Sequence, residues 1–118
     1  MDDIAKLFNR SNPLNSLKIN GKTFIEVAGG NGKTVKMFEG VSDAEVKKLA
    51  ENLAGKPLQE ASAGMVWTAK AADGTIINLR NISSSAGTTG AKWTIELPNS
   101  TILTDSKGFP IKLEIKFK

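Results

Sequence analysis

The amino-acid sequence predicts an α+β fold, in which an N-terminal helical part packs on an antiparallel sheet of about four strands. Three observations support this prediction. Residues 42–55 carry apolar residues at helical spacing between a good N-cap and a glycine, which indicates an amphipathic helix. The segments "KWTIEL" and "IKLEIKFK" alternate apolar and polar residues, as half-buried strands do. Asn20-Gly21 and Asp73-Gly74 each stand between strand-like segments, where a hairpin turn is expected.

The size and composition of the chain are those of one globular domain. Its 118 residues suffice for a hydrophobic core, since disulfides or metals become necessary mainly below about 40 residues. Hydrophobic residues make up 40% and charged residues 24%, which is an ordinary globular composition. We therefore predict a single domain over residues 1–118, with a helix and hairpin region at 1–40 and a helix with an antiparallel sheet at 41–118.

The first forty residues predict a short helix followed by strands. "DDIAKLF" has the apolar spacing of a helix, and "SLKI" and "KTFIEVA" flank the Asn20-Gly21 turn. "GGNG" is a second turn before "KTVKMFEG", and we expect these segments to form a small antiparallel unit. "GNGKT" is also interpreted as a turn, because Val27 stands where a phosphate-binding loop would need its first glycine.

The helix over 42–55 has signals at both ends. Ser42 suits the N-cap, Glu45 completes a capping box, and Gly55 stands at the C-cap. Its predicted buried stripe consists of Val46, Leu49, Ala50 and Leu53, and its predicted outer face of Lys47, Lys48, Glu51 and Asn52. The following "GKPLQEASAG" is interpreted as a linker.

The second half predicts the sheet. "MVWTAK" and "TIINLR" form a hairpin around Asp73-Gly74, and "KWTIEL" and "IKLEIKFK" supply two more strands. Alternation places Trp93, Ile95 and Leu97 on the face toward the helix, with Ile77 and Leu79 of the preceding hairpin. The opposite face then carries Lys92, Thr94 and Glu96, together with Ile76, Asn78 and Arg80.

Missing residue types limit the chemistry that the chain can perform. It contains no cysteine and no histidine, so thiolate nucleophiles, zinc–thiolate sites and the usual general base near neutral pH are excluded. Catalysis would rest on carboxylates, hydroxyls, Lys or Arg, and we expect no metal and no cofactor. The net charge of +4 and the pI of about 9.4 favour an anionic partner. No segment approaches the about 20 apolar residues of a membrane span, so this domain is not expected to insert into a membrane.

The most unusual segment lies between Arg80 and Lys92. Residues 81–91 are mostly Ser, Thr, Gly and Ala, and they connect two strand-like segments. If those strands pair, the two cations and the loop hydroxyls meet at one end of the sheet. Guanidinium and ammonium groups, together with backbone N–H groups of a glycine-containing loop, can bind phosphate there. Glu96 or Glu114 would supply a carboxylate for proton transfer. Residue chemistry alone favours the alternative, a solvated sheet face that carries cross-strand ion pairs.

Several segments resemble a known group of proteins. "KTVKMFEGVSDAEVKKLAENLAG", "IINLRNISSSAGTTGAKWTIELP" and the terminal "KLEIKFK" resemble the C-terminal toxin domains of bacterial contact-dependent growth inhibition and related polymorphic toxins. The similarity covers about residues 33–118. The most specific pieces are "LRNISSS", "KWTIEL" and "EIKFK". Toxins of this appearance are commonly ribonucleases with a barnase, EndoU, colicin and RelE type of fold.

The resemblance implies a function and a setting. It implies a metal-independent ribonuclease, often one that cleaves tRNA, delivered as the C-terminal part of a larger secreted or cell-surface effector and acting in the cytoplasm of a target bacterium. It also implies a cognate immunity protein, usually acidic, while the need for a target-cell protein cofactor is left open. A metal-free reaction would proceed by attack of the 2′-OH on the adjacent phosphate.

Together these considerations give a set of candidate residues. The candidate catalytic residues are Arg80, Ser84, Thr88, Lys92, Thr94 and Glu96. The candidate substrate-binding residues are Lys70, Asn78, Ser83, Ser85, Thr89, Lys112 and Lys116. The alternative function is a non-catalytic basic domain that binds nucleic acid or an acidic partner protein.

Overall fold

The computed structural model describes residues 2–28, 30, 33–62, 64–81 and 92–118. The two helices are α1 (Asp2–Leu7) and α2 (Asp43–Ala54). The strands are β1 (Ser16–Ile19), β2 (Lys22–Ile25), β3 (Val35–Phe38), β4 (Gln59–Ser62), β5 (Val66–Lys70), β6 (Ile76–Arg80), β7 (Trp93–Leu97) and β8 (Leu113–Phe117). Strands β1 and β2 form a separate hairpin, and the other six form one sheet in the order β3-β8-β7-β6-β5-β4.

The predicted fold class is wrong. The described chain is mostly sheet, with a six-stranded mixed sheet, a two-stranded sheet and only two short helices. It is therefore not a helical part over about four antiparallel strands, and the fold expected from the toxin resemblance is not found. The prediction failed because two strands, β3 and β4, extend the sheet beyond the strands whose alternation is visible in the sequence.

Strand β3 accounts for the mixed topology. It pairs in parallel with β8, from Val35 opposite Glu114 to Phe38 opposite Phe117, so the expected small antiparallel unit is wrong at this strand. Met37 and Phe38 are fully buried. A strand buried on both faces shows no alternation, and its partner lies at the far end of the chain. Local sequence therefore contains no signal for this pairing.

Strand β4 lies in the segment that was predicted to be a linker. It pairs antiparallel with β5, with a register irregularity between Glu60 and Ser62. The strand "QEAS" is largely exposed and has no apolar period. Polar residues are typical of an edge strand, where they oppose pairing with other chains. The same polarity makes the segment look like a linker in sequence.

The helix α2 and both hairpins form as predicted. The Ser42 hydroxyl accepts a hydrogen bond from Glu45 N at 3.2 Å, and Glu45 Oε1 accepts one from Ser42 N at 3.1 Å. Gly55 adopts a left-handed conformation at the C-cap. Asn20 and Gly21 both have positive φ angles, as a tight two-residue hairpin turn requires. Neither α1 nor α2, the helices of the described chain, is long and apolar enough to cross a membrane.

The core lies between α2 and one face of the sheet. From α2 it takes Val46, Leu49, Ala50 and Ala54, and from the sheet Ile77, Leu79, Ile95, Leu97, Leu113, Ile115 and Phe117. Residues of α1 and β1 join the same cluster. The predicted apolar faces of β6 and β7 are therefore confirmed for Ile77, Leu79, Ile95 and Leu97, while Trp93 and Leu53 are only partly buried.

Candidate functional site

The candidate site lies on the face of the sheet opposite α2. This face, called the polar face below, carries Thr68 of β5, Asn78 and Arg80 of β6, Thr94 and Glu96 of β7, and Glu114 and Lys116 of β8. Residues directly opposite each other on antiparallel strands share a face and lie in contact. The pairing of β6 with β7, on which the predicted site depended, is present.

Two cross-strand rows organise the polar face. In one row Arg80 stands opposite Thr94, and Thr94 stands opposite Lys116. In the next row, Asn78 stands opposite Glu96, and Glu96 stands opposite Glu114. The register therefore brings together six polar side chains from three strands.

Glu96 is the centre of this arrangement. Arg80 Nη1 lies 3.3 Å from Glu96 Oε2 and 3.5 Å from Glu96 Oε1. Lys112 Nζ lies 3.9 Å from Glu96 Oε2 and 3.7 Å from Glu114 Oε1. Two carboxylates directly opposite each other repel, and the ammonium group of Lys112 offsets that repulsion by contacting both. These four residues are called the Glu96 cluster below.

The burial of the polar face differs from what the sequence indicated. Thr94 is 3% exposed, Lys116 6% and Glu96 8%, so the expectation of a solvated face is wrong for these three residues, although cross-strand ion pairs are present. Lys116 Nζ donates a hydrogen bond to Thr94 Oγ1 at 3.4 Å. Buried polar groups need such partners, because an unpaired one loses its hydration without compensation.

The cations of the Glu96 cluster lie closer to solvent than its central carboxylate. The side chains of Arg80 and Lys112 are 43% and 56% exposed, whereas that of Glu96 is 11% exposed. An anion that approaches the polar face therefore meets the two cations before the carboxylate. This order suits the binding of a phosphate group next to a recessed base.

Arg80 also retains hydrogen-bonding capacity. Its Nε–H is buried and has no hydrogen-bond partner in the part of the chain that the structure describes. Buried donors without a partner are uncommon in proteins, and each one calls for an explanation such as a catalytic role or a bound water or ion. The guanidinium group thus holds Glu96 through Nη1, and a further donor of the same group is unused by the described residues.

Sequence reasoning missed Thr68. Its Oγ1 donates a hydrogen bond to Asn78 Oδ1 at 2.7 Å, and this contact extends the row of Asn78 and Glu96 onto β5. A signal for it was present, because Thr68 is the central residue of "VWTAK" and alternates with Trp67 and Ala69, which pack against the core.

The remaining candidates are spread more widely. Lys92 is exposed, and its backbone N–H donates to Phe117 O at 2.7 Å. Lys70 stands opposite Ile76, whereas Arg80 stands opposite Val66. Lys70 and Val66 are four residues apart on β5, which corresponds to about 13 Å along the strand. The structure therefore does not bring Lys70 into the Glu96 cluster. Five hydroxyl residues of the predicted site, Ser83, Ser84, Ser85, Thr88 and Thr89, lie outside the described residues.

Neither a search for metal ligands nor a comparison with known proteins assigns a function to the polar face. Within residues 2–28, 30, 33–62, 64–81 and 92–118, no group of three Asp, Glu, His or Cys side chains is placed to hold a metal ion. Comparison of the chain with protein-family models, with curated proteins and with solved structures found no match. The candidate function therefore rests on the chemistry of the polar face and on the resemblance in the sequence.

Proposed function

We propose that the chain is a metal-independent endoribonuclease whose reactive centre is the Glu96 cluster. The observation that carries this proposal is the recessed Glu96 carboxylate, held by Arg80 of β6 and by Lys112, which directly precedes β8. Cleavage of RNA without a metal requires a base for the 2′-OH and cations for the phosphate. The Glu96 cluster contains a carboxylate that can act as the base and two cations that contact it. The chain has no histidine that could take the role of the base.

In the proposed reaction, Glu96 accepts the proton of the 2′-OH as that oxygen attacks the adjacent phosphorus. Arg80 and Lys112 stabilise the negative charge that develops on the phosphate oxygens. The bond from phosphorus to the 5′-oxygen breaks, and Lys112 donates a proton to that leaving oxygen. The products are a 2′,3′-cyclic phosphate and a free 5′-hydroxyl. Proton transfer from Glu96 back to Lys112 then restores both groups.

We further propose that the substrate is tRNA in a target bacterium and that the activity inhibits growth. The resemblance of "LRNISSS", "KWTIEL" and "EIKFK" to toxin domains supports this setting. The charge of +4 suits both a polyanionic substrate and an acidic immunity protein that masks the polar face. A target-cell protein is proposed as an activator, and delivery as part of a larger effector is proposed on the same resemblance.

The test is incubation of the purified protein with total bacterial tRNA in EDTA, with and without cell extract, followed by a denaturing gel. We expect discrete fragments from the wild type and a loss of cleavage of about 100-fold or more in Arg80→Ala, since removing one electrostatic stabiliser has that effect in other enzymes. Lys47→Ala is the matched control, because Lys47 is an exposed cation on α2, which packs on the opposite face.

A second function is favoured by the ion pairs themselves. Arg80 and Lys112 already neutralise Glu96 in part, which also suits a stable docking surface for nucleic acid or an acidic protein. Intact tRNA in every condition, from a protein with a folded circular-dichroism spectrum, would overturn the nuclease proposal. Binding of tRNA without cleavage would then establish the non-catalytic alternative.

A further inference from the structure

A pocket lies on the part of the sheet that the Glu96 cluster does not occupy. It has a volume of about 410 Å³, which falls within the range of small-molecule sites. Residues of the segment before β4 and of strands β4, β5 and β6 line it, among them Lys56, Pro57, Gln59, Thr68, Lys70 and Ile76. It is called the β4 pocket below.

The charges in the β4 pocket are all of one sign. Lys56 and Lys70 are exposed, and neither side chain makes an ion pair or hydrogen bond with another residue in the described part of the chain. No carboxylate lines the pocket. In contrast to Arg80 and Lys112, whose charges are shared with Glu96, these two cations are available to an external anion.

The remaining lining suits the other parts of a nucleotide. Pro57 and Ile76 provide apolar surface against which a base or ribose can pack, and the Gln59 amide can donate and accept hydrogen bonds. Two ammonium groups beside an apolar wall and an amide match a phosphate with its attached nucleoside. A purely inorganic anion would leave the apolar wall unused.

Thr68 connects the β4 pocket with the Glu96 cluster. It lines the pocket, and its Oγ1 donates to Asn78, which stands opposite Glu96. Strand β5 lies two strand spacings, or about 10 Å, from β7. One strand of nucleic acid can therefore contact both places along the row of Thr68, Asn78 and Glu96.

We infer that the β4 pocket is a second nucleotide subsite, which holds a phosphate and nucleoside of the same RNA strand away from the bond that is cleaved. This inference rests on the proposed function. It assigns phosphate binding to Lys56 together with Lys70, and contact with the base or ribose to Gln59, Pro57 and Ile76. Within its RNA substrate, the enzyme accordingly prefers an unpaired stretch, such as a tRNA loop, that is long enough to reach both places.

The test uses fluorescein-labelled 2′-O-methyl oligonucleotides, which cannot be cleaved by 2′-OH attack, in lengths of two and eight nucleotides. The double variant Lys56→Ala with Lys70→Ala is compared with Lys47→Ala with Lys48→Ala, which removes two exposed lysines from α2. For the octanucleotide we expect binding about 5-fold weaker at 0.1 M salt in the pocket variant, since one phosphate contact on a single strand contributes about 0.7 to the salt slope. The slope itself falls by about 0.7.

The dinucleotide provides an internal control, because its single phosphate can occupy only one of the two places. Its affinity for the Glu96 cluster is expected to be unchanged by the pocket variant. With cleavable RNA, the pocket variant is expected to raise KM and to leave kcat unchanged, as the loss of uniform binding does.

The outcomes separate this inference from the proposed function. If the wild type cleaves RNA and the two double variants bind the octanucleotide equally well, the subsite is wrong and the nuclease stands. If the wild type binds the octanucleotide through Lys56 and Lys70 but cleaves no RNA, the nuclease is wrong and the nucleotide subsite stands. If the wild type binds neither oligonucleotide and cleaves no RNA, both are wrong.

Discussion

The two faces of strands β6, β7 and β8 come from alternating residues of the same segments and are both substantially buried, yet they are buried in different ways. On the face toward α2, Leu79 and Ile95 are at most 1% exposed and pack among aliphatic side chains. On the polar face, Thr94 and Glu96 are buried beside Lys116 and Arg80. Apolar burial is non-directional, whereas polar burial requires a particular partner at a particular register. The face toward α2 therefore tolerates small shifts of the strands, whereas the polar face does not.

The largest expected effect comes from the two carboxylates of the polar face. Glu96→Gln removes the proposed base while keeping its shape, and we expect kcat for tRNA cleavage to fall by about 10²–10⁴-fold, the usual contribution of general base catalysis. Glu114→Gln is the matched control, because it removes an equal charge that Lys112 also contacts. Initial rates of both variants measure the difference. Equal losses in the two variants would mean that the cluster acts through its charge and not through Glu96 as a base.

A smaller effect is expected on the free energy of unfolding, and it differs between the two faces. Leu79→Ala deletes a buried side chain on the α2 face, and we expect a loss of about 2–5 kcal/mol in the free energy of unfolding. Asn78→Ala, the neighbouring residue on the polar face, removes the acceptor for Thr68 and is expected to cost about 0.5–1.5 kcal/mol. Urea denaturation of both variants measures these losses. A larger loss for Asn78→Ala would show that the polar face contributes more to stability than apolar packing.

The smallest expected effect is a pH dependence at the start of α2. The pKa of Glu45 is lowered from its ordinary value of 4.5, first by the hydrogen bond from the Ser42 backbone N–H and also by Lys22. A carboxyl group whose pKa is lower in the folded state stabilises the fold above the unfolded pKa, and this contribution is lost as the pH falls below 4.5 through the folded pKa.

Urea denaturation between pH 6 and pH 3 measures this contribution. Glu45→Gln retains a side-chain acceptor but does not titrate, so its stability is expected to fall less steeply with acid than that of the wild type. Glu39→Gln serves as the control, since Glu39 is exposed and lies outside α2. Parallel curves for wild type and Glu45→Gln would contradict the assignment to Glu45.

The sequence predictions were correct for features that depend on neighbouring residues and wrong for features that depend on residues far apart in the chain. The capped ends of α2 and the Asn20-Gly21 turn depend on hydrogen bonds and φ angles within a few residues, and both were predicted. Strand β4 was missed because its residues are polar, and β3 was placed in the wrong pairing because its partner is β8. The fold class was wrong for this reason, since a sheet is defined by pairings that local patterns do not contain.

The same division applies to the candidate site. Alternation alone placed Arg80 and Glu96 on one face, and the pairing of β6 with β7 brought them into contact as expected. The bridge from Lys112 to Glu96 and Glu114, the hydrogen bond from Thr68 to Asn78 and the burial of Lys116 were not visible in sequence. Each of these depends on register across strands and on how closely side chains approach, which a pattern of residue types does not specify.

The sequence by itself determined the local elements of this protein: α2 with its two caps, the hairpins β1–β2 and β5–β6, and the apolar face of β6 and β7. These depend on backbone preferences and on side-chain alternation, and both are properties of neighbouring residues. The tertiary structure decided the six-stranded mixed sheet, the Glu96 cluster and the β4 pocket. Those depend on contacts between segments far apart in the chain, where the register of the strands selects which polar groups meet and which remain open to a ligand.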